Sequence, residues 1–550
     1  MLLLLFKIYY TILCERNINL VIQDEWRDKL GFGSNATAML QSKKTISVFC
    51  LVIYGFLVNE IFLAYDLTFI MFEKSLYSKI LLAHGYSLNS KDINFVFDFI
   101  SLDGAPRTRF VNNLFLILDV KFRMFALQFY PITGNFSISW IIVALLTPLL
   151  FFKLAVRVFG NALMGAIAFF VFVTSSGFLG PLVMSFHPAK SLSLLFMTAL
   201  LLLLTYKEPN KCVIGKGNSK SLVIDMSIVS LIFIMLFTDE TMLLGLLVPI
   251  LLYPFNTKTW HVCSKGWVGH SLLVIAPFAL YLFITIFVAP KFVEPAVKFN
   301  TGVDVRFDFL KWAFADNANI FDPMKFLTNF TTNLKNMYQF HLNFFKSYNS
   351  YVVGPYSLLP TLLLCLGAIV VLLSKRSLFL RFMIIMLACV FLQTLLMTRH
   401  SVQTIEDPFY YGCLTSLFFT LMAVSIMTDF LSTVGRLNIR AMNLVLLIFS
   451  LCFSAAMIVI NLHNFKITNM AWRGSSETKI NTDYVRLIWR MKDDEQGLLR
   501  ELGEADQTQQ RFFLEDILLS NHRSLSREWC GIRPNSPYAP DLVGKPLHCN

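Results

Sequence analysis

Apolar residues dominate the middle of the chain in stretches of about 20 residues, the length an α-helix needs to cross a bilayer. They fall near 45–65, 138–156, 159–178, 189–206, 222–238, 241–255, 268–289, 352–373, 380–397, 409–428 and 441–462. The pattern predicts an all-α polytopic membrane protein with about eleven transmembrane helices. Asp239 and Glu240 interrupt a long apolar stretch, which reads as a tight turn between two helices.

Between these stretches lie two long loops, 66–137 and 290–351, rich in aromatic and aliphatic residues. In the first, Leu114, Leu118, Phe122, Phe125 and Phe129 recur at helical spacing, with Asp119, Lys121 and Arg123 among them. Charges in the middle of such a segment argue for a helix lying in the membrane interface. The second loop repeats the pattern with Phe309, Trp312, Phe326, Phe330, Phe340 and Phe344, separated by Asn, Lys and Asp. The apolar run Met1–Leu13 is too short to span and reads as a further interfacial helix. The organisation expected is an N-terminal segment over 1–44, a transmembrane domain over 45–462 and a small polar tail over 463–550.

Composition agrees. The chain is 56% hydrophobic and only 15% charged, with a mean hydropathy of +0.61. A soluble protein needs about a quarter of its residues charged to solvate its surface. The net charge of +12 does not point to nucleic acid, because the basic residues form no aromatic-interleaved patch. They occupy short loops: Lys153 and Arg157; Lys207, Lys211, Lys216 and Lys220; Lys258 and Lys265; Lys375, Arg376 and Arg381; Arg436 and Arg440. All of these face one side when the N-terminus is cytoplasmic, as the positive-inside rule requires. The long loops and the tail are then extracytoplasmic, across a plasma, inner or endoplasmic reticulum membrane. The ten cysteines show no metal spacing. Cys530 and Cys549, in the outer tail, are candidates for a disulfide.

Four polar clusters fall on the outer side. The first is Asp103-Gly-Ala-Pro-Arg-Thr-Arg109, where a carboxylate stands beside Arg107 and Arg109. Arginine clamps phosphate bidentately and a carboxylate serves as base; a turn fixed by a salt bridge is the plain alternative. The second is His187-Pro-Ala-Lys190, whose lysine departs from the charge rule and suits an anionic headgroup or substrate. Asp239-Glu240 is the third, suited to an acceptor or a divalent metal. The fourth centres on Arg399, with His400, Glu406 and Asp407 nearby. Asp66 closes the first span. There is no P-loop, GxSxG, HExxH or dinucleotide fingerprint. Asn135-Phe-Ser and Asn329-Phe-Thr are glycosylation sequons on the same side.

This plan resembles the GT-C superfamily of polytopic membrane glycosyltransferases over roughly residues 45–462. The local likenesses are the acid-plus-arginine stretch Asp103 to Arg109, and Arg399 with its downstream aromatics and proline. Two features depart from the family pattern: Asp66 is not part of an acidic pair, and no WWDYG-type motif is present. The resemblance implies transfer of a sugar, with inversion, from an outer-leaflet polyprenyl-phosphate carrier to a lipid, glycan or protein. Asp103, with Asp66 in reserve, would be the base. Arg107, Arg109, Lys190, His187 and Arg399 would hold the phosphate, and Asp239 and Glu240 would orient the acceptor or a metal. The competing readings are a polymerase or ligase of lipid-linked glycans, a transporter, and a structural membrane subunit. A transporter would carry midplane charges and related halves; midplane charges are few here and no internal duplication is evident.

Overall fold

The structure is a computed structural model, and it describes residues 43–64, 108–129, 138–160, 162–175, 177–179, 182, 188–206, 219–252, 264–288, 323–342, 344–347, 350–352, 377–398 and 413–435, with single positions at 96, 448, 452, 455, 458 and 459. The predicted span at 352–373, nearly all of 1–44 and 441–462, and the tail 463–550 lie outside the described residues.

The described part is helical, as the apolar pattern predicts. Its elements are α1 (Lys43–Ala64), α2 (Phe110–Phe129), α3 (Ile138–Phe159), α4 (Ala162–Val173), α5 (Pro188–Tyr206), α6 (Ser219–Leu236), α7 (Leu244–Leu252), α8 (Ser264–Phe283), α9 (Pro323–Leu342), α10 (Ser377–Thr398) and α11 (Cys413–Gly435). A 3-10 turn, Glu240–Leu243, joins α6 to α7, and a π turn, Ile284–Val288, ends α8. One feature departs from the all-α expectation: strands β1 (Phe344–Ser347) and β2 (Ser350–Val352) pair antiparallel after α9. Among the described residues, Ile138–Phe159 and Ala189–Tyr206 are long and apolar enough to cross a membrane by length and composition.

α5 is the central post. It packs against α3, α6, α7, α11 and α2. Leu192, Leu194, Met197, Leu200, Leu201 and Leu204 are all buried, so it is apolar on nearly every side, as a core helix must be. Its hydroxyls do not spoil this. Ser193, Thr198 and Thr205 donate to the carbonyls of Ala189, Leu194 and Leu202 in their own helix. α11 uses the same device at Thr420, Ser425 and Thr428.

α3 and α4 form a tight hairpin. Gly160 ends α3 at φ 66°, a left-handed conformation that favours glycine, and its N–H donates to Val156 O at 3.0 Å. A Cβ on Gly165 would lie 3.2 Å from the Val156 backbone, so the two helices touch main chain to main chain there. Phe151 stacks on Phe172 at 4.1 Å inside the hairpin. The sequence pattern carries a span to 178, but α4 stops at Val173. The polar run that follows explains the stop: Thr174 and Ser175 turn their hydroxyls onto Phe170 O and Phe172 O, and Ser175 then accepts from Phe178 N.

Pro148 sits inside α3. It has no N–H, so the Ala144 carbonyl, four residues earlier, loses its helical partner. The Tyr54 hydroxyl of α1 donates to that carbonyl. Tyr54 is itself buried between Phe169 and Phe178. This is the polar link that fixes α1 on the α3–α4 hairpin.

Tyr54→Phe keeps the ring and removes the donor, leaving a buried carbonyl without this bond. The expected loss is about 1–3 kcal/mol, visible as a lower melting temperature of the detergent-solubilised protein. An unchanged melting temperature would remove the link from the account.

Candidate functional site

The starts of α2, α5 and α11, the turn after α6 and the π turn after α8 bring polar residues to one end of the bundle. α2 begins there with Thr108 and Arg109 just ahead of its first turn. α5 begins there at Pro188, a residue suited to a first turn because its missing N–H needs no partner. The next N–H, of Ala189, donates to Asn112 Oδ1 of α2 at 3.1 Å. A side chain from one helix thus caps the N-terminus of another. Val111 N donates to Phe237 O at 3.1 Å, and the Phe110 and Phe237 rings stack at 5.1 Å. The start of α2 is therefore tied both to α5 and to the end of α6.

Asp239 stands where α6 gives way to the 3-10 turn. Its N–H donates to Met235 O at 3.3 Å, and its carbonyl accepts from Met242 N at 3.0 Å. The backbone is held on both sides, which fixes the carboxylate. That carboxylate is fully buried and meets two cations. Lys190 Nζ lies 2.8 Å from Oδ1, and Arg109 Nη2 lies 3.6 Å from Oδ2. Lys190 is 3% exposed and Arg109 8%, so water screens this cluster little.

The electrostatics explain the pairing. Lys190 is in the first turn of α5 and Arg109 directly precedes α2; both cations sit at the positive end of a helix dipole, where a cation is disfavoured. A third helix, α11, starts beside them, with Cys413 Sγ 3.8 Å from Lys190 O. Without a carboxylate the described residues here would leave two buried cations uncompensated. Asp239 supplies the counter-charge, and burial makes the pair indispensable: removing one partner of a buried ion pair costs about 3–5 kcal/mol.

Two further contacts frame the cluster. Thr108 and Thr285 share a hydroxyl–hydroxyl bond of 2.7 Å, joining the start of α2 to the π turn after α8. Asp119, also buried, accepts from Ser139 N at 2.8 Å and from the Ser139 hydroxyl, and so caps α3 from α2. At the opposite end of α5, Arg157 donates to Thr205 Oγ1 at 2.9 Å and to Thr205 O at 3.0 Å, and lies over the Tyr206 ring. A cation there complements the negative end of the helix dipole.

Of the residues singled out in the sequence, Arg109, Lys190 and Asp239 come from three separate clusters and meet in one site. Glu240 follows directly in the 3-10 turn; its side chain is outside the described residues. Asp66, Asp103, Arg107, His187, Arg399, Cys530 and Cys549 also lie outside them. Asn112, Thr108, Thr285 and Cys413 belong to the neighbourhood and were not selected from the sequence. Asn112-Asn113 is a polar pair opening an apolar helix, a signal that was available; Thr285 is one hydroxyl in an apolar run and gave none. Among the described residues no group of three or more His, Cys, Asp and Glu is placed to hold a metal. A divalent cation at Asp239 would face two positive side chains, so the cluster as arranged suits an anion better than a metal.

Lys190→Met and Asp239→Leu, made singly, should each lower unfolding free energy by about 3–5 kcal/mol, and the double variant by clearly less than the sum. Chemical denaturation in detergent reads all three. Simple additivity would show that the two side chains do not depend on one another.

No family model, curated protein or solved structure matches the chain.

Proposed function

We propose that the chain is a polytopic membrane glycosyltransferase of GT-C type, which moves a sugar from an outer-leaflet polyprenyl-phosphate carrier to a lipid, glycan or protein acceptor. The observation that supports this most is the convergence of Arg109 and Lys190, from segments about 80 residues apart in sequence, on one buried acidic turn. In the membrane reading, about eleven helices span the bilayer with the N-terminus in the cytoplasm, following the positive-inside pattern of the loops. The cluster end then faces outward, on the carrier's leaflet. Arg157, at the far end of α5, falls on the cytoplasmic side where basic residues belong.

In this mechanism the carrier's phosphate replaces part of the Asp239 carboxylate as partner to Lys190 and Arg109. Arg107, His187 and Arg399, from the adjoining outer segments, complete the phosphate seat. Asp103 takes the proton of the acceptor hydroxyl, with Asp66 in reserve. The acceptor oxygen attacks the anomeric carbon as the bond from that carbon to the phosphate oxygen breaks. The new glycosidic bond forms with inversion, and the carrier phosphate leaves with the bonding electron pair. The cations stabilise the charge developing on it. Asp239, released in part from its cations, orients the acceptor together with Glu240. A polymerase or ligase of lipid-linked glycans would use the same arrangement with a larger acceptor.

A second reading has its own support. The short Lys190–Asp239 contact in a fully buried setting is also what a purely structural anchor needs, in a transporter or a membrane subunit. The two readings differ in what Asp103 does. As a base, Asp103→Asn should reduce transfer from a polyprenyl-phosphate sugar by at least about 100-fold, the lower range for general-base removal, with melting temperature and carrier binding unchanged. Undiminished transfer by a folded Asp103→Asn protein would take the role from this residue. Absence of any bound carrier in native mass spectrometry, after addition in excess, would favour the structural reading.

A further inference from the structure

α9 buries two asparagines and exposes three large apolar side chains. Asn329 and Asn333, one turn apart on one face, are buried, Asn333 completely. The opposite face exposes Met324, Leu327 and Leu334, with Met324 72% exposed. In water the asparagines would face outward and the leucines inward. Three threonines share the helix: Thr328 donates to Met324 O, and Thr331 and Thr332 both donate to Thr328 O. Their hydroxyls are satisfied within the helix and need no outside partner.

The inward face packs on α10, where Phe330 meets Phe391 edge-on at 5.5 Å. Phe391 also belongs to the outer surface of α10, along with Ile384 and Leu387. α9 thus packs beside a 22-residue helix whose own exposed positions here are apolar. Among the described side chains, one charged group, Lys335, joins the outward face of α9, and a lysine can extend its ammonium to the headgroups.

From this we infer that α9 is immersed in the acyl chains of the bilayer beside α10, with Met324, Leu327 and Leu334 touching lipid and the asparagines turned to the protein. This rests on the membrane reading above and extends it to a helix from a loop that the sequence places outside. It also withdraws the Asn329 sequon: that amide faces protein from within a helix and is closed to glycan transfer on the folded chain.

The test uses the full chain in phosphatidylcholine nanodiscs holding one copy each, with a diazirine midway along an acyl chain of a fraction of the lipid. After photolysis, tagged peptides are located by mass spectrometry. The α6 peptide bearing the exposed Leu222, Val223 and Met226 reports on the membrane reading, and the α9 peptide bearing Met324 and Leu327 reports on this inference. Tags on both peptides are expected. Tags on α6 with none on α9 would overturn the inference and leave the membrane reading standing. Loss of tags from both would overturn the two together.

Discussion

The buried contact between Lys190 and Asp239, with Arg109 alongside, is the constraint on which this end of the bundle depends. It joins the start of α5 to the end of α6 and, through Arg109, to the start of α2. Each partner is costly to bury alone. The three segments must therefore arrive together, and the arrival sets the positions of α2, α5, α6 and the turn into α7. α5 is then pinned at both ends in the sense its dipole favours, by a carboxylate near its first turn and by Arg157 at its last.

Elsewhere many polar groups in apolar surroundings are satisfied close at hand, with Thr147, Ser271 and Gln393 as buried exceptions among the described residues. Serine and threonine hydroxyls return to their own helix in α5, α6, α9 and α11. The carbonyl freed by Pro148 is met by Tyr54. Helix starts that lack local caps borrow them, α5 from Asn112 and α3 from Asp119. Apolar packing fills the remaining space, with Phe151, Phe169, Phe172 and Phe178 wholly buried in and around the α3–α4 hairpin.

Much of the helical layout was legible because long apolar runs leave a chain few choices. The turn at Asp239 was legible too, since two adjacent acids end an apolar run. Periodicity also found α2 as a helix, with Leu114 exposed as the stripe predicts. What it missed was the other face: Asp119 and Lys121, read as charges bound for an interface, are buried against the bundle. One-dimensional pattern shows where a charge lies in a helix and not which neighbour it meets. The same limit applies to the site. Arg109, Lys190 and Asp239 could each be picked out as a misplaced or isolated charge. That they were partners depended on helix order and packing, which no local motif encodes. The early end of α4 was hidden because short polar interruptions weigh little against long apolar stretches, and the β1–β2 pairing because Phe344 fits the helical spacing of its loop.

The cluster is a fold anchor and, as proposed, a phosphate seat, and the two roles can be pulled apart. Arg109→Met/Lys190→Met/Asp239→Leu replaces all three buried charges with apolar side chains, an exchange that buried ion pairs and triads often tolerate. The decisive measurement is native mass spectrometry of polyprenyl-phosphate binding to this folded triple variant beside the unaltered chain. Loss of carrier by about tenfold or more in affinity, roughly 1.4 kcal/mol, is the predicted result. Carrier bound equally well by both proteins would contradict the account and leave the cluster a structural anchor.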